Sequence, residues 1–291
     1  MADTILNALS GDMMVRLVVA DTRELVEQAR AYHNCSATAS ALLGRLLTAA
    51  SIMGSDLKDP NFSVTLRVDG DGPAGYAIAV ADGDGFCRGC MMNPDVDLPL
   101  KENGKLNVGG AVGQGSLTVV KDMKLKEPYV GKIELVSGEI AEDITEYLYY
   151  SEQTPGVCSL GVLVDTDGTI AAAGGFILSL MPGADEEVIS RVEKDIADLP
   201  SMTKMLSDGM TPEEIAKLVM KSDFGFVTRT TTCGYRCRCS EERTENMLLS
   251  LGKAELERLS AENDDIEVTC HFCSKKYNIS AAKLLKKVKK A

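Results

Sequence analysis

Four closely spaced cysteines near the carboxyl end constrain the fold of this chain more than any other feature. Cys237 and Cys239 form a Cys-x-Cys pair, and about thirty residues later Cys270 and Cys273 form a Cys-x-x-Cys pair. Two short loops that each supply two sulfurs can place four thiolates around one tetrahedral zinc ion. The spacing therefore predicts a zinc site in the last part of the chain.

The segment that carries these cysteines is poor in large apolar side chains, so it cannot form a large core. A structural zinc contributes about 10–16 kcal/mol of apparent binding free energy, whereas whole domains are stable by only about 5–15 kcal/mol. We therefore expect this segment to unfold when the metal is lost. Thiolates are also the form of cysteine that oxidants attack, so the spacing fits either a permanent structural site or an oxidant-sensitive one.

The ligand set is open at one point, because Cys233 lies four residues before the Cys-x-Cys pair. It can replace Cys237 or Cys239 as a ligand, or lie beside the site as a resolving thiol. His271 is a conceivable fifth ligand, although four sulfurs already complete a tetrahedron. The other cysteines are predicted to be small side chains in or near the core: Cys35, Cys87, Cys90 and Cys158.

Length and composition place the chain among ordinary globular proteins. Its 291 residues are 45% hydrophobic and 25% charged, which allows one sizeable core and a smaller module. The sequence has no run of about 18 uncharged apolar residues, and its start lacks the basic and apolar regions of a signal peptide. We therefore expect a cytoplasmic protein without a membrane segment. In that reducing compartment a Cys-x-x-Cys pair is more often metal-bound or redox-active than a permanent disulfide.

The net charge of −12 argues against general nucleic-acid binding, which requires clustered basic residues. Lysines gather only in the last helical segment: Lys283, Lys286, Lys287, Lys289 and Lys290. We interpret them as a solvated face whose charges suit a helix carboxyl end. The alternative is a zinc module that binds RNA or DNA through this tail, and salt-dependent binding would reveal it.

A second alternative is a thiol-disulfide oxidoreductase that uses Cys270 and Cys273. In such enzymes the Cys-x-x-Cys motif opens a helix, whereas here it lies in a hairpin-like segment from Ile266 to Ile279. Turnover of insulin disulfides would distinguish the enzyme from a protein that only binds.

The first 180 or so residues have the periodicity of an α+β fold. Alternating apolar residues from Phe62 to Val68, followed by two glycine-rich turns, predict an antiparallel meander. A mostly apolar helix is predicted over 37–53, buried between a sheet and another helix. Further strands are predicted over 14–19, 117–121, 132–136, 160–165 and 169–173, with a helix over 141–150. Helices packed on a mainly antiparallel sheet are the expected fold class.

The next stretch contains short, charge-rich helices. One includes Val188, Val192 and Ile196, and another begins at the capping sequence Thr211-Pro212. Each has a single apolar stripe and is stable only while it is docked on something else. An ordinary helical linker and an element ready to detach explain this pattern equally well.

Taken together, these motifs resemble the redox-regulated heat-shock protein 33 family, which are zinc-binding bacterial holdase chaperones, over nearly the whole chain. The motifs that carry the resemblance are Cys237-x-Cys239-Ser240 with Arg243, Cys270-His271-Phe272-Cys273, Leu43-Gly44-Arg45, Gly70-Asp71-Gly72-Pro73-x-Gly75, Arg88-Gly89, Ala111-Val112-Gly113, Ser137-Gly138-Glu139-Ile140 with Asp143, Ser151-Glu152-Gln153 and Ala173-Gly174-Gly175. The cysteine pattern is the most specific of them.

The resemblance implies a core domain over 1–182, a helical linker over 183–232 and a zinc-binding redox-switch domain over 233–291. Reduced protein would hold one Zn²⁺ with Cys237, Cys239, Cys270 and Cys273 and would be inactive. Oxidation would form the disulfides Cys237–Cys239 and Cys270–Cys273, release zinc, and unfold the switch and the linker. The active form would be a homodimer that binds unfolding client proteins without ATP and catalyses no reaction. The additional cysteines, Cys233 above all, are departures from the family pattern, because they offer alternative disulfide partners.

Overall fold

The computed structural model describes residues 2–262 and 265–288, which belong to two compact units. The first unit ends at Arg236, and the second begins at Cys237, the first of the four clustered cysteines. The division into core, linker and switch concerns how the parts behave, and it stays a prediction.

Two sheets form the framework of the first unit. The five-stranded sheet has the order β10-β1-β2-β9-β8, with β1 (Thr4–Ser10), β2 (Val15–Asp21), β8 (Gly156–Val164), β9 (Ile170–Leu180) and β10 (Phe224–Thr232). The six-stranded sheet has the order β11-β5-β4-β3-β6-β7, with β3 (Ser63–Gly70), β4 (Tyr76–Asp82), β5 (Phe86–Met91), β6 (Gly115–Asp122), β7 (Tyr129–Glu134) and β11 (Gly234–Tyr235). Within the described ranges, only β11 and β5 pair in parallel. The predicted α+β class with mainly antiparallel strands is confirmed.

The helix predicted over 37–53 is the centre of the first unit. It is α2 (Ala37–Ser55), in which 17 of 19 residues are buried. It contacts β4 and β5 in one sheet and β8 and β9 in the other, so sheets cover two of its sides. By length and composition α2 could cross a membrane, but 89% of that stretch is buried inside the unit, as in a core helix. The positive charge of Arg45 within this helix is paired, because Arg45 donates from Nη1 to Oε2 of Glu139 at 2.6 Å.

The remaining helices of the framework are α1 (Arg23–His33), α3 (Val108–Val112) and α4 (Ala141–Tyr150). The last has the predicted bounds. The strand predicted over 14–19 is not the first one, because β1 precedes it. Both faces of β1 are buried, since Ile5 lies in the cluster between the sheets and Leu6 in a second apolar cluster. A strand buried on both faces lacks the alternation that identifies half-exposed strands.

The outer face of the five-stranded sheet is covered by three helices, which we call the linker helices. They are α5 (Glu186–Ile196), α6 (Met202–Ser207) and α7 (Pro212–Val219). Apolar side chains of β1, β2 and β9 meet apolar side chains of these helices in the second apolar cluster, which we call the docking cluster. The range predicted as a helical linker also contains β10, which pairs antiparallel with β1.

The second unit consists of two helices, the predicted hairpin and the predicted last helix. Its elements are α8 (Glu241–Leu249), α9 (Lys253–Glu262), β12 (Asp265–Thr269), β13 (Lys276–Ser280) and α10 (Ala281–Val288). In the described part of this unit, the apolar cluster has five buried side chains: Leu248, Leu256, Tyr277, Ile279 and Leu284. This core is small for a segment of its length.

The lysine-rich tail belongs partly to α10. Lys283, Lys286 and Lys287 lie on that helix, and Lys287 forms an ion pair with Glu245 of α8. Lys289 and Lys290 lie outside the described residues. One of these lysines therefore serves an intramolecular contact, in line with the interpretation as a helix face.

Two glycines allow α6 to approach the sheet closely. Gly161 of β8 and Gly174 of β9 are cross-strand partners beneath α6. A Cβ atom on Gly161 would lie 2.7 Å from Cγ2 and 3.1 Å from the backbone nitrogen of Thr203. A Cβ atom on Gly174 would lie 3.3 Å from the terminal methyl carbon of Met202. The missing side chains make room for the helix.

We predict that Gly161→Ala weakens the docking of α6 by about 1–3 kcal/mol, the usual cost of overpacking a well-packed site. The atoms nearest to the new methyl group all belong to Met202 and Thr203, so the sheet itself should be undisturbed. Hydrogen exchange measures this directly: amides of α6 should exchange faster, while amides of α2 keep their protection.

Leu163→Ala on the same strand is the matched control, because Leu163 is exposed. Unchanged exchange in α6 of the Gly161→Ala protein, or equal acceleration in α2, would contradict the proposed role of the glycine.

Candidate metal centre

The Cys-x-Cys pair is held by the start of α8. Cys237 and Cys239 come directly before the N-cap residue Ser240, whose Oγ accepts the backbone N–H of Arg243 at 3.2 Å. Arg243 in turn donates from Nη1 to the carbonyl oxygen of Arg238, between the two cysteines, at 2.9 Å. The helix start therefore fixes the course of this loop.

The Cys-x-x-Cys pair lies at the turn between β12 and β13. The backbone N–H of Cys270 donates to the carbonyl of Lys275, and the N–H of Ser274 donates to the carbonyl of Cys270, both at 2.9 Å. Ser274 has a φ of 57°, so the chain makes a left-handed step directly after Cys273. The motif is thus on a hairpin turn and does not open a helix.

The two loops bring all four predicted ligands together. The four sulfur atoms lie within 4.8 Å of one another. The sulfurs of Cys237 and Cys270 are 3.6 Å apart, and those of Cys239 and Cys273 are 3.4 Å apart. Tetrahedral zinc with Zn–S bonds of about 2.3 Å separates its sulfurs by about 3.8 Å, whereas a disulfide brings two sulfurs to about 2.05 Å. The distances fit a tetrathiolate metal site, and no disulfide is formed.

The thiols of the cluster differ in how readily they ionise. Burial raises the pKa of Cys237 and of Cys273. Burial also acts to raise the pKa of Cys239, but the hydroxyl of Tyr277 and the neighbouring thiols outweigh it and lower that pKa to about 7. One sulfur is therefore partly ionised at neutral pH, and a bound cation would favour the thiolate form of the others.

Tyr277 is a site residue that the sequence reasoning missed. Its hydroxyl donates to Sγ of Cys239 at 3.1 Å, while its ring is buried in the small apolar cluster of the second unit. The ammonium nitrogen of Lys275 lies 5.1 Å from the centre of this ring. The available signal was the period of two in β13, which places Tyr277 and Ile279 on one face. Tyr277 thus connects the cluster to the core of the unit.

The open question about Cys233 has a structural answer. Cys233 belongs to the first unit, where its thiol donates to the carbonyl of Asp21 at 3.8 Å and its N–H to the carbonyl of Asp3 at 3.0 Å. Burial raises the pKa of this thiol to about 12. It lies outside the four-sulfur cluster, as does His271, which is exposed.

The other four cysteines are buried, as predicted: Cys35, Cys87, Cys90 and Cys158. Burial raises the pKa of Cys35 to about 12, and it also raises the pKa of Cys87 and of Cys158. Thiols with such high pKa values carry almost no thiolate at neutral pH and react slowly with oxidants.

Comparison with known proteins places the whole chain in one family. A family profile described as Hsp33 protein matches residues 3–280. A 33 kDa chaperonin from Clostridioides difficile is 46% identical over 290 residues, covering 99% of this chain and 99% of that protein. Another from Acetivibrio thermocellus is 43% identical over 289 residues, covering 99% of this chain and 98% of that protein. The crystal structure of the 33 kDa chaperonin (heat shock protein 33 homolog) from Thermotoga maritima has a TM-score of 0.93 at 38% identity, covering 100% of both chains.

These similarities extend over the sheets of the first unit and over the four-sulfur cluster of the second. The relatives that match over their full length are named chaperonins. The resemblance drawn from the sequence motifs is thereby confirmed, and the chain belongs to the Hsp33 family of molecular chaperones.

Proposed function

We propose that this chaperone is a redox-regulated holdase that works without ATP. It is inactive while reduced and zinc-bound, and oxidation activates it by removing the metal. The observation that carries this proposal is the four-sulfur cluster in a unit whose apolar cluster, over the residues that the structure describes, has five buried side chains. With so small a core, the unit depends on its metal for stability, so losing the metal unfolds it.

The residues proposed to hold one Zn²⁺ are Cys237, Cys239, Cys270 and Cys273, and their distances support this assignment. A zinc ion bound there supplies positive charge that keeps the sulfurs ionised, and it cross-links the two loops. Tyr277 orients the sulfur of Cys239 through its hydroxyl. Such hydrogen bonds to metal ligands commonly contribute to affinity as well as to geometry.

The proposed disulfides are Cys237–Cys239 and Cys270–Cys273. In the folded unit the sulfurs of the two motifs are interleaved, with Cys237 and Cys270 3.6 Å apart and Cys239 and Cys273 3.4 Å apart, so the folded geometry does not by itself select this pairing. The argument for it is the family resemblance, and the two cysteines of each proposed pair are close in sequence and so stay near each other when the unit unfolds. As each disulfide forms, a pair of thiols loses two electrons and two protons to an oxidant such as hydrogen peroxide, whose O–O bond breaks to give two molecules of water.

The linker helices are the proposed connection between the switch and client binding. Their apolar stripes contact the sheet in the docking cluster. Their release would therefore expose apolar surface on the helices and on the sheet. Large exposed apolar surfaces bind other apolar groups through the hydrophobic effect, which needs no nucleotide. Unfolded or partly folded proteins present such groups and are the proposed partners.

The proposal also covers where the protein is located, how it associates and whether it catalyses a reaction. The reducing cytoplasm is the proposed location, because zinc-bound thiolates persist there and disulfides do not. We expect oxidised chains to associate as homodimers, as the family resemblance implies, and the molar mass in sedimentation equilibrium tests this. The activity is binding, and we assign no catalytic step.

We predict that peroxide under mildly unfolding conditions releases one zinc per chain as holdase activity appears. The reason is that oxidised sulfurs no longer bind the metal that stabilises the second unit. A chromogenic chelator measures the zinc, and light scattering of a heat-unfolded reporter enzyme measures the holding activity. Zinc that stays bound, or zinc loss without holding activity, would refute the switch.

Two cysteine variants provide matched controls for this experiment. Cys270→Ser removes a cluster sulfur and should lower zinc content in the reduced protein. Cys233→Ser removes a buried thiol outside the cluster and should keep both zinc and switching. Insulin-disulfide turnover by either form of the wild-type protein would favour the oxidoreductase alternative instead.

We predict that Tyr277→Phe weakens zinc binding about tenfold or more, because it removes the hydrogen bond to a ligand and keeps the buried ring. Competition against a chelator of known affinity gives the dissociation constant. The control is Tyr235→Phe, which removes a hydroxyl bonded to the carbonyl of Gly89 in the first unit. Equal zinc affinity in Tyr277→Phe and wild type would rule out the positioning role of the hydroxyl.

A further inference from the structure

Methionines are unevenly distributed between the two apolar clusters of the first unit. Among the described residues, the cluster between the sheets has 42 buried apolar side chains, of which Met53 and Met91 are methionines. The docking cluster has 14, of which Met202, Met205 and Met220 are methionines. All three come from the segment 181–223, which contains the linker helices. This linker segment supplies seven of the fourteen buried side chains of the docking cluster. Three of the seven buried apolar side chains that this segment contributes to the docking cluster are therefore thioethers.

These methionines are protected while the linker helices are docked. Met202 and Met205 lie on α6 and are 2% and 1% exposed, and Met220 directly follows α7 and is 4% exposed. The terminal methyl group of Met202 contacts β9 beside Gly174. Oxidants in solution reach these sulfurs only when the helices leave the sheet. That step rests on the release described under the proposed function.

A thioether reacts with the same oxidants as a thiolate. Its sulfur lone pair attacks one oxygen of hydrogen peroxide, the O–O bond breaks and an S–O bond forms. The second oxygen takes up a proton and leaves as water. The sulfur loses two electrons and the peroxide gains two, so the step is balanced. Dithiol reductants reverse disulfides, whereas a methionine sulfoxide is reduced by dedicated reductases.

A sulfoxide at these positions opposes redocking. The docking cluster is apolar on both sides, so a buried sulfoxide oxygen would have no hydrogen-bond donor supplied by the cluster. Burial of one unsatisfied polar group shifts the ratio of docked to released helices by roughly 5- to 30-fold. Neither the reduction of the disulfides nor the return of zinc removes that oxygen.

We propose that Met202, Met205 and Met220 are sulfoxidation sites that keep the linker helices off the sheet after the cysteines have been reduced. The chaperone then has two classes of oxidisable residue in one chain, and each class is reduced by a different system. The cysteines respond first and are reset by a dithiol and zinc. The methionines become reactive only after release, and they are reset by methionine sulfoxide reductases.

The test uses the full-length, zinc-loaded protein. Peroxide is applied under mildly unfolding conditions for short and long times, and dithiothreitol with Zn²⁺ is then added. Residual suppression of reporter-enzyme aggregation is measured, and mass spectrometry counts the oxygen atoms added to each methionine. We expect residual activity to increase with sulfoxide at the three sites. Treatment with methionine sulfoxide reductases A and B should abolish it.

The decisive variant combines Met202→Leu, Met205→Leu and Met220→Leu. Leucine has nearly the volume of methionine and does not form a sulfoxide, so docking should be retained. This protein should be activated by the first oxidation and should lose its activity completely on reduction with zinc. The matched control combines Met53→Leu and Met91→Leu in the other cluster, and it should keep the residual activity of the wild type.

Two results would overturn the proposal. One is equal residual activity in the triple-leucine variant and the wild type. The other is complete resetting of wild-type protein that carries sulfoxide at all three positions. Because this second result needs only the wild type, poor folding of the variant leaves the proposal falsifiable. Failure of the proposed function is a separate result, in which no protein gains activity at the first oxidation step, and the methionine proposal then falls with it.

Discussion

The second unit depends on its four sulfurs because little else can hold it together. In the described part of the unit, five buried side chains form one apolar cluster, and one of the five, Tyr277, is itself bonded to one of the sulfurs. Oxidants do not alter contacts between aliphatic side chains, whereas they react with thiolates. Under the proposed function, the stability of this unit would therefore depend on the redox state of its surroundings. In the first unit all five cysteines are buried, and four of them are packed among apolar side chains: Cys35, Cys87, Cys158 and Cys233. One chain therefore contains reactive and protected thiols, separated by burial.

The linker helices are stable for a different reason. They have 11, 6 and 8 residues, and isolated helices shorter than about 12–15 residues are marginal in water. Local capping helps, since Asp185, Ser201 and Thr211 each accept backbone N–H groups at a helix start. The docking cluster supplies the rest, and the paired glycines under α6 bring that helix close to the sheet. Their structure is therefore conditional on contact with the sheet.

The sequence predicted those features that follow from short-range patterns. The Cys-x-Cys and Cys-x-x-Cys spacing identified the four sulfurs that the structure brings together, and alternation identified the meander of β3 to β5. Strand β1 was missed because the sheet is covered on both faces, which removes alternation. Strand β10 lay in a range predicted to be helical, although its threonines and Val227 favour a strand.

Long-range contacts were the part that patterns could not reveal. The position of Cys233 in the first unit depends on contacts with Asp3 and Asp21, more than 200 residues earlier in the chain. The bond from Tyr277 to Cys239 depends on how β13 lies against the start of α8. Neither contact has a local sequence pattern, so both required the folded structure.

The connectivity of the five-stranded sheet determines what a released linker would be. The segment 181–223 begins at the end of β9 and ends at the start of β10, and both strands belong to the same sheet. With both ends anchored, the free segment is a closed loop rather than a loose tail. Its effective concentration at the sheet is then on the order of millimolar, as for other short flexible tethers. Its return would be a unimolecular reaction whose rate is independent of protein concentration. A client bound to that sheet face, as proposed, would therefore compete with a segment that remains attached to the same sheet.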